Sequence, residues 1–172
     1  PLIGITGSNG KTSTKDLLAH VLSNTYNVHA TEGNFNTTVG LPLTLLQLDY
    51  ENSISIIEMG ASSTGEIGAL CKIAEPTHGM ITNIAPAHLE GFGSIETIVH
   101  EKRALFQALE NGIAFVNMAD DWVAKMEISG ESVTFGLTPD CDFPADIHQE
   151  NNGSLTLILD AHEIPTGSQN LS

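Results

Sequence analysis

Positive charge is scarce in this 172-residue chain: six Lys and Arg stand against 21 Asp and Glu, for a formal charge of −15. Two of the six cations, Lys11 and Lys102, occupy candidate site positions, so no basic surface is left for a nucleic-acid backbone or an anionic membrane. Anionic ligands must be met locally, by a loop, by metal ions or by a part of the protein outside this chain. The two cysteines, Cys71 and Cys141, make neither a disulfide framework nor a metal cluster, which fits a reducing cytoplasm. There is no charged-then-apolar export signal and no apolar run near 18 residues, so neither export nor membrane spanning is expected. Internal repeats and low-complexity linkers are also missing. The chain starts inside its first strand and stops at Gln169-Asn170-Leu171-Ser172 without a terminating pattern, which reads as a piece of a longer protein; separately, a monomer is expected.

With 41% hydrophobic residues, the chain has enough apolar material for one domain with a real core. Strand-length apolar runs occur at Leu2 to Thr6, Asn27 to Thr31, Ser53 to Met59, Gly79 to Ile84 and Gly112 to Asn117. Helical periodicity fills the intervals, over 12–24 with its apolar positions Leu17, Leu18, Val21 and Leu22, then 41–48, 65–74 and 94–109, with Ser94 as an N-cap. Such alternation predicts a three-layer α/β domain, a mostly parallel sheet with helices on both faces. Beyond about residue 128 the runs shorten, at Ser132 to Phe135, Phe143 to His148 and Leu155 to Leu159, and predict antiparallel hairpins. Residues 1–127 are read as the core and 128–172 as a small antiparallel β extension.

Residues 4–12 read Gly4-Ile5-Thr6-Gly7-Ser8-Asn9-Gly10-Lys11-Thr12, set between an apolar strand and an amphipathic helix. This is the layout of a phosphate-binding loop. Small residues let backbone N–H groups close around phosphate oxygens, the helix N-terminus adds partial positive charge, and Lys11 and Thr12 reach the terminal phosphates and a Mg²⁺. Ile5 stands where the usual pattern has its first glycine, with Gly4 and Gly7 on either side; the bland alternative is a plain glycine turn.

Ligands of open parallel sheets sit at the carboxyl ends of the strands, and three polar landmarks fall there. The loop is the first. Glu58 closes the apolar run Ile54 to Ile57 and is either a Mg²⁺ ligand or a cap for the helix near Gly65. His88, in the loop after Ile84, is either an ordinary surface histidine or a ligand for a divalent cation. Farther on, Lys102 fills an apolar-stripe position, seven after Ile95 and four before Phe106. It either runs its stem along the core to water or is desolvated, nucleophilic enough to take up CO₂ and become an anionic carbamate ligand.

Four separated segments in order resemble the central ATPase domain of the Mur ligases: the loop Gly4 to Thr12, Thr31 to Pro42, Glu58-Met59-Gly60-Ala61 with Gly65-Glu66-Ile67, and Asn83 to Gly93. Within the family, Glu58 to Ala61 and Ala87 to Gly93 are most similar to the branch that adds D-alanyl-D-alanine to UDP-N-acetylmuramoyl-tripeptide. The resemblance implies ATP-driven amide-bond formation through an acyl phosphate, in cytoplasmic peptidoglycan precursor synthesis. It implies that Gly7, Ser8, Asn9, Gly10, Lys11, Thr12 and Ser13 hold the phosphates. Thr12 and Glu58 would hold one Mg²⁺, His88 would help hold a second, Lys102 would match a carbamylated lysine ligand, and Asn170 would lie near the adenine. Lys11, His88 and Lys102 are thus the catalytic expectations. Two positions depart from the family: Asn36-Thr37 stands where two asparagines are usual, and Gln169 where a histidine is usual. Flanking N- and C-terminal domains that help bind substrates are absent from this chain. Still open are another Mur ligase, a folylpolyglutamate synthase-type ligase, a P-loop kinase or hydrolase, and a noncatalytic nucleotide-binding module. A kinase or hydrolase would show an aspartate-ended strand or mobile arginines, and Arg103 is the one arginine.

Overall fold

The computed structural model describes residues 1–87, 89–128 and 130–166. The apolar runs form strands β1 (Leu2–Thr6), β2 (Val28–Ala30), β3 (Ile54–Glu58), β4 (His78–Ile81) and β5 (Ile113–Asn117). Four more follow: β6 (Glu131–Gly136), β7 (Phe143–Gln149), β8 (Leu155–Leu159) and β9 (His162–Pro165). The helices are α1 (Lys11–Leu22), α2 (Gly40–Leu45), α3 (Glu66–Ala74), α4 (Leu89–Phe92) and α5 (Ile95–Gln107). One sheet carries all nine strands in the order β2-β3-β1-β4-β5-β6-β7-β8-β9.

Alternation along the strands sends side chains to two layers. On one face Ile57, Met59, Ile81 and Val116 pack with Leu41 of α2, Ile67 and Leu70 of α3, and Ile98, Leu105 and Phe106 of α5. Ile5 and Ile56, one position out of phase, are fully buried without joining that cluster. The cover on their side is α1, which contacts β1, β2 and β3. Helices therefore lie on both faces, as the alternation predicts. Ser94 caps α5 by accepting from Thr97 N at 3.3 Å.

Gly4 and Gly79 are register partners in β1 and β4. A Cβ on Gly4 would stand 3.0 Å from Leu105 Cδ1, and one on Gly79 3.1 Å from Leu105 Cγ. These two bare positions make a trough into which Leu105 sinks, which is why α5 lies so close to the sheet.

Several elements differ from the sequence-based expectations. The strand at 132–135 is not a hairpin arm: β6 runs parallel to β5 over five register pairs, from Ile113↔Glu131 to Asn117↔Phe135. Parallel pairing continues to β7 through Phe135↔Phe143 and Gly136↔Pro144, and only β7-β8 and β8-β9 are antiparallel. The link from β5 to β6 is long enough for a crossover, whereas hairpins need a short turn. Neither α4 nor β9 has a periodic signal of its own. On α1 the apolar pattern is misleading, because Leu17 and Val21 are 65% and 56% exposed while Lys15 is the buried member. Finally, β4 ends at Ile81 rather than Ile84, since 82–85 leaves the ladder to grip the glycine loop.

Candidate active site

The glycine loop turns tightly at the carboxyl edge of β1. Gly7 has φ 148°, and a Cβ there would collide with Thr82 Oγ1. Gly10, at φ 76°, is the left-handed N-cap of α1 and supplies no side-chain cap. Consequently the backbone N–H groups of Gly10, Lys11, Thr12 and Ser13 have no partner among the described residues. Unsatisfied amides at a helix N-terminus form an anion site. Lys11 Nζ donates to Gly7 O at 2.9 Å and Ser8 O at 3.4 Å, so its charge lies across the mouth of the loop. Burial lowers its pKa, and the nearby Glu58 carboxylate works against that shift.

Glu58 is 2% exposed at the end of β3. Its Oε2 accepts from Thr12 Oγ1 at 2.9 Å and its Oε1 from Asn36 Nδ2 at 2.8 Å, while its backbone N donates to Thr31 Oγ1 at 3.0 Å. The capping alternative is therefore wrong. The start of α3 is held instead by Glu101, whose Oε2 and Oε1 accept from Gly65 N and Ile67 N, both at 2.6 Å. Glu66 Oε2 closes the preceding turn by accepting from Ser62 N at 2.7 Å and Ser63 N at 3.2 Å, bonds that lower its pKa.

A carboxylate and a hydroxyl oxygen within one hydrogen bond are hard donors that suit Mg²⁺, which binds through one or two protein oxygens and fills its shell with water and phosphate. Among the described residues no group of three His, Cys, Asp or Glu could form a closed metal cage. Burial pushes the Cys71 thiol up to about 12, which leaves it inert as a nucleophile or ligand at neutral pH.

Lys102 is 3% exposed and lines a small cavity with Gly7, Ser8, Lys11, Ala61 and Phe92. It makes no hydrogen bond or ion pair among the described residues, and its stem does not carry the ammonium to water. Burial and the Lys11 charge lower its pKa to about 8, against the pull of Glu101 and Glu66. A neighbouring cavity of about 220 Å³ is lined by Lys11, Asn36, Thr37, Thr38, Gly60 and Ser62. Lys11, Thr12, Glu58 and Lys102 thus meet at one rim. His88 and Asn170, with Gln169, lie outside the described residues.

Three site residues escaped sequence reasoning. Asn36 stood out only as half of an unusual pair, yet it holds Glu58. Lys15, 5% exposed, donates to Thr31 O at 2.7 Å and pairs with Asp16 at 2.9 Å, bracing the threonine that holds the Glu58 backbone. A lysine one helical turn after Lys11 is a visible signal, but its direction is not. Glu101 reaches residues 34 and 36 positions away, which no local pattern reveals.

The sequence profile of the Mur ligase middle domain matches residues 5–169. The chain belongs to the Mur ligase family. As a Mur ligase domain it is 38% identical over 154 residues to the UDP-N-acetylmuramoyl-tripeptide–D-alanyl-D-alanine ligase of Bacillus subtilis, covering 89% of this chain and 34% of that protein. Against the enzyme of the same name from Escherichia coli it is 37% identical over 173 residues, covering 97% and 37%. A solved MurF ligase from Thermotoga maritima, in complex with ADP, superimposes with a TM-score of 0.83 at 35% identity, over 95% of this chain and 40% of that one. This Mur ligase domain therefore spans about a third of the length of the curated relatives it matches.

Within the Mur ligase domain Glu101 supplies two charge-assisted bonds from a buried carboxylate. Glu101→Ala is expected to destabilise the full-length protein by about 3 kcal/mol. Chemical denaturation followed by far-UV circular dichroism checks this, and an unchanged midpoint would show that the α3 N-terminus is satisfied without it.

Proposed function

We propose that this chain is the nucleotide-binding middle domain of a ligase that joins D-alanyl-D-alanine to UDP-N-acetylmuramoyl-tripeptide at the expense of ATP. The observation that carries the reading is the meeting of Lys11 and Thr12, from the loop after β1, with Glu58 at the end of β3 and Lys102 in the same cavity as Lys11. The names of the relatives supply the substrates. The ADP complex of a structural neighbour agrees with nucleotide at the loop.

A carboxylate is a poor electrophile, so the substrate carboxylate first attacks the γ-phosphorus of ATP. One O–P bond forms, the bond to the β-phosphate oxygen breaks, and ADP leaves. The amine of the dipeptide then attacks the acyl carbon, loses a proton, and expels phosphate as the C–N bond forms. The obstacle in the first step is two anions brought together, and fixed positive charge at that point lowers the barrier. Lys11 and the amides of Gly10 to Ser13 bind the phosphates in this reading. Thr12 and Glu58 would hold a Mg²⁺, which supplies charge neutralisation and polarisation of the γ-phosphoryl group. His88 is assigned to a second metal and Asn170 to the adenine.

Lys102 is assigned the carbamate. Its neutral amine attacks CO₂, an N–C bond forms, and a proton leaves, giving an anionic oxygen ligand. At a pKa of about 8, roughly a tenth of such amines are neutral at pH 7, some 300-fold more than for an ordinary lysine. We place the enzyme in the cytoplasm as a monomer. No helix among the described residues is long and apolar enough to cross a membrane.

The reading is tested in the full-length protein by ADP and phosphate release from ATP with UDP-N-acetylmuramoyl-tripeptide present. Release is expected to depend on added D-alanyl-D-alanine and to yield the pentapeptide product. Turnover indifferent to the dipeptide would overturn it.

A further inference from the structure

The segment that leaves β4 is fastened to the glycine loop through more bonds than a passing connection needs. Ser8 N donates to Asn83 O at 2.9 Å and Asn9 N to Asn83 Oδ1 at 3.0 Å. In return Asn83 Nδ2 donates to Asn9 O at 3.3 Å, an oxygen that also accepts from Thr82 Oγ1 at 2.6 Å. Beside them Ser8 Oγ exchanges bonds with Ala85, donating to its carbonyl and accepting from its N–H, both at 2.9 Å.

Two consecutive amides of the loop are thereby used up. Those of Ser8 and Asn9 point at Asn83, and the four that follow, Gly10 to Ser13, are left for a ligand. Asn83 thus holds the first two amides, one through its carbonyl and one through its side chain, apart from the four that stay free. The segment is itself held from the next strand. Ile84 N donates to Asp120 Oδ2 at 2.9 Å, and Asn117 Nδ2 donates to Thr82 O at 2.8 Å. Asp120 is anchored in turn, since its Oδ1 accepts from Trp122 N at 3.0 Å and Val123 N at 2.9 Å, and Val123 is fully buried in the core.

We propose that Asn83 is a positioning residue for the nucleotide site, shaping the glycine loop so that only its C-terminal amides face the phosphates, with Asp120 bracing Asn83 from the end of β5. The proposal rests on the reading of the loop as a nucleotide site. In it, Asn83 and Asp120 act through the loop; phosphate contact belongs to the loop amides. A loop that is already in its binding conformation spends no affinity on ordering itself.

The test uses the full-length protein and ADP with Mg²⁺ in isothermal titration calorimetry, with steady-state kinetics alongside. Asn83→Ala removes both side-chain bonds and is expected to weaken ADP binding about tenfold, the scale of two modest hydrogen bonds. KM for ATP is expected to rise in parallel while KM for D-alanyl-D-alanine stays unchanged, a split that general destabilisation would not produce. Asn83→Asp keeps the volume and the acceptor for Asn9 N, loses the donor to Asn9 O, and should weaken ADP binding as well. It carries the test where Asn83→Ala does not fold. Asp120→Asn, one step farther away, is expected to weaken binding about threefold. Wild-type affinity in whichever Asn83 variant folds, alongside lost binding in Lys11→Ala, would overturn the positioning role and leave the nucleotide reading standing. Failure of the unmutated protein to bind ADP would overturn both.

Discussion

Lys102→Ala in the full-length protein is expected to lower dipeptide-dependent ADP release by about 100-fold, the scale seen when a metal-ordering group is removed. Added acetate or formate is expected to restore part of it. The argument runs from burial to chemistry. An amine that is 3% exposed, unpaired among the described residues and beside Lys11 is costly as a cation. Converting it to a carbamate reverses the sign of its charge, and an anion beside Lys11 and the proposed metal site is favourable where a second cation was not. A short carboxylate fits the space left by alanine and presents the same oxygens. The pH dependence follows with a definite sign. CO₂ adds to the neutral amine, so at a fixed concentration of dissolved CO₂ the reactivation of decarbamylated enzyme should speed up as pH rises towards about 8 and level off above it. Turnover unchanged by the substitution, or reactivation that slows with rising pH at that fixed CO₂ concentration, would end the carbamate assignment.

Glu58→Gln is expected to cost about 100-fold to 1,000-fold in kcat, the range for loss of a key charge-stabilising group at a reacting centre. The half-saturating Mg²⁺ concentration should rise together with that loss. Glutamine keeps the volume and one acceptor oxygen, so the bonds to Thr12 and Asn36 need not both break; what disappears is the charge that a divalent cation requires. A second effect works in the same direction. Glu58 holds the Lys11 ammonium against the lowering caused by burial, and without it the lysine loses its proton at lower pH. The variant's activity should therefore fall off on the alkaline side earlier than that of the unmodified enzyme. Retained turnover at unchanged Mg²⁺ demand would remove Glu58 from the metal site.

Much of this arrangement was legible from residues alone, for identifiable reasons. Phosphate loops are local: the glycines, Lys11 and Thr12 are contiguous, so spacing alone conveys the geometry. Glu58 and Lys102 were readable because each breaks a rule of its element, an acid closing an apolar strand and a cation on an apolar stripe. Partners across the fold were not readable. Glu58 had two plausible occupations, and only Glu101, seated on the start of α3, removes the capping one. Strand direction failed at β6 because a short run with turn residues around it looks the same whether its neighbour is sequential or reached by a crossover. On α1 the periodicity of Leu17 and Val21 marked the wrong face: the helix turns Lys15 inward, where it donates to Thr31 O, and leaves those two exposed.

Leu105 sits three residues, just under one helical turn, beyond Lys102 on α5, so whatever sets the elevation of one sets that of the other. The seat of Leu105 is the bare floor at Gly4 and Gly79. A methyl group added to either glycine would press on the Leu105 side chain at 3.0 to 3.1 Å, and any lift of the helix in answer would move Lys102 with it, with no reacting residue altered. The reach of the most unusual side chain in the protein is thus calibrated by two residues that have none.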